Sequence, residues 1–223
     1  MGNLNSITIM LIAANAIFSY KGFNNHAFFE KFKFNVGAIQ RGEKYRMISS
    51  GFLHTTPTHL FMNMFGLFLF ANQVIDGVGE LGFLVVYFGS LIAGSLLSLY
   101  FNKNDYDYTA VGASGAVTGV LYSAIVLGPE LKYYFIFLPS RIGDFDLGIK
   151  GYLLGIGYML YTIYAMKRNT DNIGHDAHFG GAIGGYVFTL LLASWLLTVN
   201  LAVTLLLALP IVILFVMKKA GKL

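Results

Sequence analysis

The chain has 223 residues, of which 56% are hydrophobic and 12% charged, with a mean hydropathy of +0.65 and a formal net charge of +4. Globular domains carry roughly 25% charged residues, so this composition is that of a membrane protein. The basic residues are scattered through connecting segments, which argues against a nucleic-acid groove and fits attraction to a membrane surface. The lack of cysteine excludes disulfides and thiolate metal sites.

Apolar runs fall at about 6–20, 60–75, 81–101, 114–128, 151–166, 177–197 and 199–217. No linker-like composition or internal repeat divides them, so one domain over 1–223 is expected, with a core at about 6–197. In the first run, Ala14-Asn15-Ala16 resembles a signal-peptidase site, and Gly2 with Ser6 fits a loose myristoylation pattern. No basic region precedes the run, and a first transmembrane helix is the expectation.

The long connection 21–58 mixes charge with aromatics and predicts amphipathic interfacial helices. Several later runs are at or below the ~17–25 residues of a spanning helix. They are rich in glycine and spotted with polar residues, which suits helices buried in a bundle. Segment 129–150 carries an apolar burst too short to span and is read as interfacial. The run 199–217 is an extra apolar segment, a candidate seventh helix that Pro210 could kink.

Polar groups inside membrane helices are costly, so each poses a functional question. In "GFLHTTPTHLFMNMFG" (51–66), His59 and Asn63 share one helical face. They suit interhelical hydrogen bonding, or donors to a developing oxyanion. A metal pair of His54 and His59 lacks a nearby carboxylate.

In "YTAVGASGAVTGVLYSAIVLG" (108–128), Gly112, Gly115 and Gly119 recur at helical spacing, and Gly115-x-x-x-Gly119 lets another backbone come close. Ser114, near the helix start, could cap N–H groups, serve as a small packing residue, or act as a nucleophile beside the positive end of the helix. In "TDNIGHDAHFGGAIGGYVF" (170–188), His178 begins an apolar run, with Gly181 and Gly185 on one face. His175 and Asp176 are assigned to the preceding loop. Two glycine-faced helices that start with Ser114 and His178 can bring a nucleophile to a base. The chemistry that fits is acyl transfer from a peptide bond to water.

Together these residues resemble the rhomboid family of intramembrane serine proteases, over Arg46 to Gly185. "YRMISSGFLHTTPTHLFMNM" is similar to the family's arginine-to-HxxxxHxxxN region, "GASG" to its GxSG motif and "AHFGGAIGG" to its AHxxGxxxG helix. The resemblance implies an all-α polytopic membrane protein, a six-transmembrane-helix bundle with the motifs on the second, fourth and sixth helices. It implies a Ser114–His178 dyad without an acid, and an oxyanion hole of His59, Asn63 and the Ser114 N–H. Arg46 would order the first loop, Gly112 belongs to the nucleophile motif with Gly115, and Gly181 and Gly185 would seat helix six on helix four.

No metal or cofactor is implied. The resemblance implies transmembrane protein substrates and the lipid bilayer as partners, with no nucleic acid. It implies a bacterial inner membrane location, with the site opening to the extracytoplasmic side. Lys and Arg counting would instead put the first loop in the cytoplasm; the family topology is preferred because that loop reads as a folded element. Thr118 stands where many members carry an aromatic four residues after the serine, leaving the orientation of His178 to a neighbour such as Tyr122. A non-catalytic relative that binds transmembrane helices is the alternative. A transporter or channel would call for intramembrane carboxylates or an inverted repeat, neither of which the runs contain.

Overall fold

The computed structural model describes residues 4–134, 137–168 and 173–223. Helix α1 (Ser6–Asn24) opens with Asn5, whose side chain accepts the Ile7 N–H and caps the helix. Its buried stripe is Thr8, Leu11, Asn15, Ser19 and Gly22, at helical three- and four-residue spacing. Asn15 is the polar member that matters most: its amide donates to Leu11 O (2.9 Å) and to the fully buried Tyr87 hydroxyl (3.2 Å).

The long first connection is folded throughout. It holds α2 (His26–Phe32), a two-residue strand β1 (Phe34–Asn35), α3 (Val36–Gln40), α4 (Arg46–Ser49) and a 3-10 turn (Ser50–Phe52). Asn25 and Asn35 cap α2 and α3 through their side chains. Next comes α5 (Pro57–Phe101), with Thr56 as N-cap and proline in the first turn, where its missing N–H costs nothing. Gly79 breaks this helix in a left-handed conformation (φ 76°, ψ 171°) that glycine adopts without strain. The two arms, 57–78 and 80–101, are the second and third apolar runs of the sequence.

Strand β2 (Thr109–Ala110) then pairs antiparallel with β1, Phe34 opposite Ala110. It ties the first loop to the approach of α6 (Ser114–Leu127). The connection after α6 carries two small ladders, β3 (Lys132–Tyr133) with β6 (Ile149–Lys150) and β4 (Arg141–Ile142) with β5 (Phe145–Asp146). Phe135 and Ile136, inside the apolar burst expected to be interfacial, lie outside the described residues. The chain closes with α7 (Gly151–Arg168), α8 (His175–Leu192), α9 (Leu196–Val199) and α10 (Leu201–Lys219).

His175 and Asp176 form the first turn of α8 rather than the preceding loop. An acidic residue there faces the positive helix end, and Asp176 is held by Asn102 Nδ2 (2.6 Å) and the Tyr108 hydroxyl (3.3 Å). Helices α1, α5 and α10 are long and apolar enough to cross a membrane by length and composition. Helix α10 has Pro210 inside it and docks on the bundle: Tyr122 donates to Leu207 O (2.7 Å) and Tyr186 to Thr204 O (3.0 Å). The chain is thus an all-α polytopic membrane bundle.

At its centre, α6 is packed between α5 and α8. A Cβ on Gly181 would collide with the Gly115 carbonyl, and one on Gly185 with the Gly119 carbonyl. Gly119 in turn faces the Ser90 side chain of α5. The helices meet backbone to backbone, the geometry that small-residue spacing permits, and the Ser123 and Thr189 hydroxyls lock the far end at 2.6 Å.

Because backbone cannot move aside as a side chain can, Gly181→Ala is expected to lower stability by about 1–3 kcal/mol or more. Gly157→Ala on α7, where an added methyl meets nothing within 4 Å, is expected to be neutral or stabilising by up to ~1 kcal/mol. Thermal unfolding midpoints of the two variants in one detergent give the comparison.

Candidate active site

The site is built at the N-terminal ends of α6 and α8. The loop that delivers Ser114 to the start of α6 is pinned from the first loop at two successive amides. Gly112 N–H donates to Ser50 O (3.0 Å), and Ala113 N–H donates to His54 Nε2 (3.3 Å). Gly112 has φ 131°, a conformation reserved for glycine. A Cβ there would also strike the His59 ring, 2.8 Å from Cε1 and 2.9 Å from Nε2, and lie 3.7 Å from Ser114 Oγ. Gly112 thus leaves one open space shared by His59 Nε2 and Ser114 Oγ.

The first ladder bond of α6 is Val117 N–H to Ala113 O (2.9 Å). The N–H groups of Ser114, Gly115 and Ala116 therefore lie outside the helical ladder and at its positive end. One residue beyond Ser114, the Gly115 Cβ position lies 3.2 Å from the Ala177 carbonyl, and Ala177 directly precedes His178. Ser114, His59 and His178 are half-buried, whereas Asn63 and Thr118 are buried. The site therefore has an open side and a closed floor.

Asn63 Nδ2 donates to His59 O (3.0 Å), which fixes the amide one turn above the ring and leaves its second N–H for another acceptor. The His59 Nδ1 pairs with Thr55 Oγ1 (3.3 Å). When the threonine donates to Nδ1, the proton of the neutral ring sits on Nε2, the nitrogen beside Ser114. Both nitrogens of His54 are likewise occupied by protein, Nε2 by the Ala113 amide and Nδ1 by Ser19 Oγ (2.8 Å), so its role lies in the scaffold. A neutral ring satisfies all of this: Nδ1–H donates to Ser19, and Ser19 donates to Phe52 O (3.0 Å). Burial accordingly pushes the His54 pKa down to about 3.

Arg46 ties the first loop to itself. Its guanidinium donates to Glu30 O (2.7 Å), Lys33 O (3.0 Å) and the Glu43 carboxylate (2.8 Å). That bond holds the Glu43 carboxyl below the usual carboxylate range.

Sequence reasoning missed one residue at the site. Tyr122, the neighbour expected to serve where Thr118 replaces an aromatic, spends its hydroxyl on α10. The hydroxyl at the histidine belongs to Tyr158 of α7, 3.3 Å from His178 Nδ1 and 3.2 Å from Thr118 Oγ1. No local motif marks it; the only signal is a tyrosine about two turns into α7, among other tyrosines. Asp176 is turned to Asn102 and Tyr108.

This geometry can be set beside known proteins. The family model for the Rhomboid domain matches residues 41–195. The chain belongs to the rhomboid family. Among its relatives is the putative rhomboid protease YdcA of Bacillus subtilis, 32% identical over 160 residues that cover 71% of each chain. RHOMBOID-like protein 12 of Arabidopsis thaliana, a mitochondrial protein, is 25% identical over 193 residues, 79% of this chain and 55% of its own length. The rhomboid protease GluP of B. subtilis is 29% identical over 148 residues, 66% of this chain. The rhomboid chain described here spans 55% of the Arabidopsis relative and 26% of GluP.

Within this rhomboid, the His54 contact sets a pH dependence. The unfolded chain's histidine titrates at about 6.5 and the folded one at about 3, so the unfolded state binds the extra proton between these values. The stability tied to a neutral His54 is complete above the unfolded value and drains as pH falls. Between pH ~6.5 and ~5 the wild type is expected to lose stability that a His54→Ala variant does not, as read by thermal midpoints at each pH. The variant should also start about 1–3 kcal/mol lower, because the Ala113 N–H is left buried without an acceptor.

Proposed function

We propose that this rhomboid is an intramembrane serine endopeptidase that hydrolyses peptide bonds in or near the transmembrane segments of membrane proteins. The observation that carries the reading is the close contact of two helix starts, Gly115 against Ala177. Ser114 and His178 each stand one residue from it, and His59 Nε2 shares the space beside Gly112 with Ser114 Oγ. The rhomboid-protease names of two B. subtilis relatives support it.

In this mechanism Ser114 Oγ attacks the scissile carbonyl carbon as His178 Nε2 takes its proton. The carbonyl π bond opens, and its oxygen becomes an oxyanion. That charge meets the Ser114 N–H at the positive end of α6, the His59 Nε2–H and the free Asn63 N–H. Collapse of the intermediate expels the amine, which carries off the proton from His178. Water, deprotonated by the same imidazole, then attacks the acyl-serine; the acyl–Oγ bond breaks, His178 returns the proton to Ser114 Oγ, and the acid product leaves. The dyad needs no acid, since Asp176 is committed elsewhere, and the open side of the site gives water access. We place the chain in a bacterial inner membrane, with the first loop and the site on the extracytoplasmic side.

Ser114→Ala and His178→Ala are each expected to abolish cleavage of a membrane-anchored reporter while the proteins still insert. A fluorophosphonate probe should label the wild type and not Ser114→Ala; normal cleavage by Ser114→Ala would sink the mechanism. His59→Ala or Asn63→Ala should each lower kcat by about 10²–10³, the loss typical of one oxyanion donor.

Orientation has its own test, since the chain has no cysteine. Lys44→Cys, exposed on the first loop, should react with a membrane-impermeant maleimide applied to intact spheroplasts. Labelling only after lysis would reverse the assigned topology.

A further inference from the structure

We infer that Tyr158 is the positioning residue for His178, setting its tautomer and ring plane through a hydroxyl relay that ends on Thr118. The inference rests on the reading of His178 as the base. A base acting on Ser114 must keep the Nε2 lone pair free, so the neutral ring has to carry its proton on Nδ1. A proton on Nδ1 needs an acceptor, and the Tyr158 oxygen stands 3.3 Å from Nδ1.

A phenol can accept there and still dispose of its own proton, because Thr118 Oγ1 lies 3.2 Å away and can accept it. The relay then has one direction: His178 Nδ1–H to Tyr158, and Tyr158 O–H to Thr118. Reversed, the phenol would donate to Nδ1 and drive the ring proton to Nε2, where the ring is no base for the serine.

Three helices hold the parts. Thr118 lies one turn after Ser114 on α6 and is buried, so its hydroxyl cannot turn to bulk water. Tyr158 is on α7, where Thr162 Oγ1 donates to the Tyr158 carbonyl (2.8 Å) and fastens that turn. His178 is on α8. Among the described residues, the titratable groups nearby include His175, whose ring centroid is 6.0 Å from that of His178, and Tyr161, which meets His175 edge-on. The carboxylate of Asp176 is held by Asn102 and Tyr108. The relay is electrically neutral: it orients the imidazole and stabilises the imidazolium only by the stronger hydrogen bond a cation donates. A small residue at 118 and a tyrosine at 158 are thus two halves of one device.

The test uses the full chain in detergent or bilayers. Tyr158→Phe keeps the ring and removes the acceptor. It should lower kcat by about 10–10² with KM within about twofold, and move the acid limb of the kcat profile to lower pH by about half a unit, because the imidazolium loses its acceptor. Thr118→Val removes the phenol's acceptor, turns the relay around, and should lower kcat comparably; it carries the test if Tyr158→Phe does not fold.

Imidazole ¹⁵N spectra, with the His178 signal assigned by its loss in His178→Ala, give a readout independent of cleavage. The wild type should show Nδ1–H with an unprotonated Nε2, and both variants a shift toward Nε2–H. Unchanged tautomer, kcat and acid limb in a folded Tyr158→Phe overturn the inference. A wild type that never cleaves yet shows the tautomer shift sustains the relay and overturns the protease reading alone.

Discussion

The contact on which this molecule depends is that of α6 with α8, made through backbone. Helices normally pack 8–10 Å apart, with side chains between them. Here Gly115 and Gly119 face Gly181 and Gly185, and the carbonyls of one helix occupy the space where side chains of the other would stand. Such an approach costs little where no side chain must be displaced, and in lipid it is favoured by dispersion rather than by the hydrophobic effect. Its result is that the start of α8 lies against the start of α6. Without that contact Ser114 and His178 would be two unrelated polar residues at two helix ends.

The same centre explains why α6 is short. At about 1.5 Å per residue its 14 residues rise about 21 Å, less than the ~30 Å of a bilayer's hydrocarbon core. A helix enclosed by α5 and α8 need not meet lipid along its length, so its end can stop below the level its neighbours reach. The opening is then lined by loop rather than helix, which demands another source of hydrogen bonds for that backbone. Ser50 O and His54 Nε2 supply them at Gly112 and Ala113. The first loop, closed by Arg46 and by the β1–β2 pair, is therefore part of the site's frame rather than a tether between helices.

Much of this was legible in the sequence because it is local. Glycines at four-residue spacing declare a close face, GASG ahead of an apolar run marks a helix start, and the His59–Asn63 spacing puts both residues on one face. The Gly79 break likewise appears as a gap between two apolar runs. What escaped was set by tertiary placement. Tyr158 reaches His178 only because α7 docks where it does, and Tyr152, Tyr158, Tyr161 and Tyr164 look alike in sequence. Asp176 reads as loop because nothing nearby announces Asn102 and Tyr108, 74 and 68 residues away, as its partners. His54 looks like half of a metal pair until Ser19 and Ala113 are found on its two nitrogens.

The break at Gly79 also sorts the ends of the chain. Asn5 donates to Glu80 at that turn (2.8 Å), so the beginning of α1 lies at the end of the bundle where α6 finishes and Gln73 reaches the Ala124 carbonyl (2.8 Å). Helix α10 runs in the same direction as α1 and delivers Lys218 over the Phe101 ring (4.3 Å), on the side of the first loop. Asn5 and Lys218 therefore lie at opposite ends of the bundle, and only Lys218 lies at the end that carries the first loop. A label at Asn5 would report on the end of the bundle away from Ser114, whereas one at Lys218 would report on the side of the first loop.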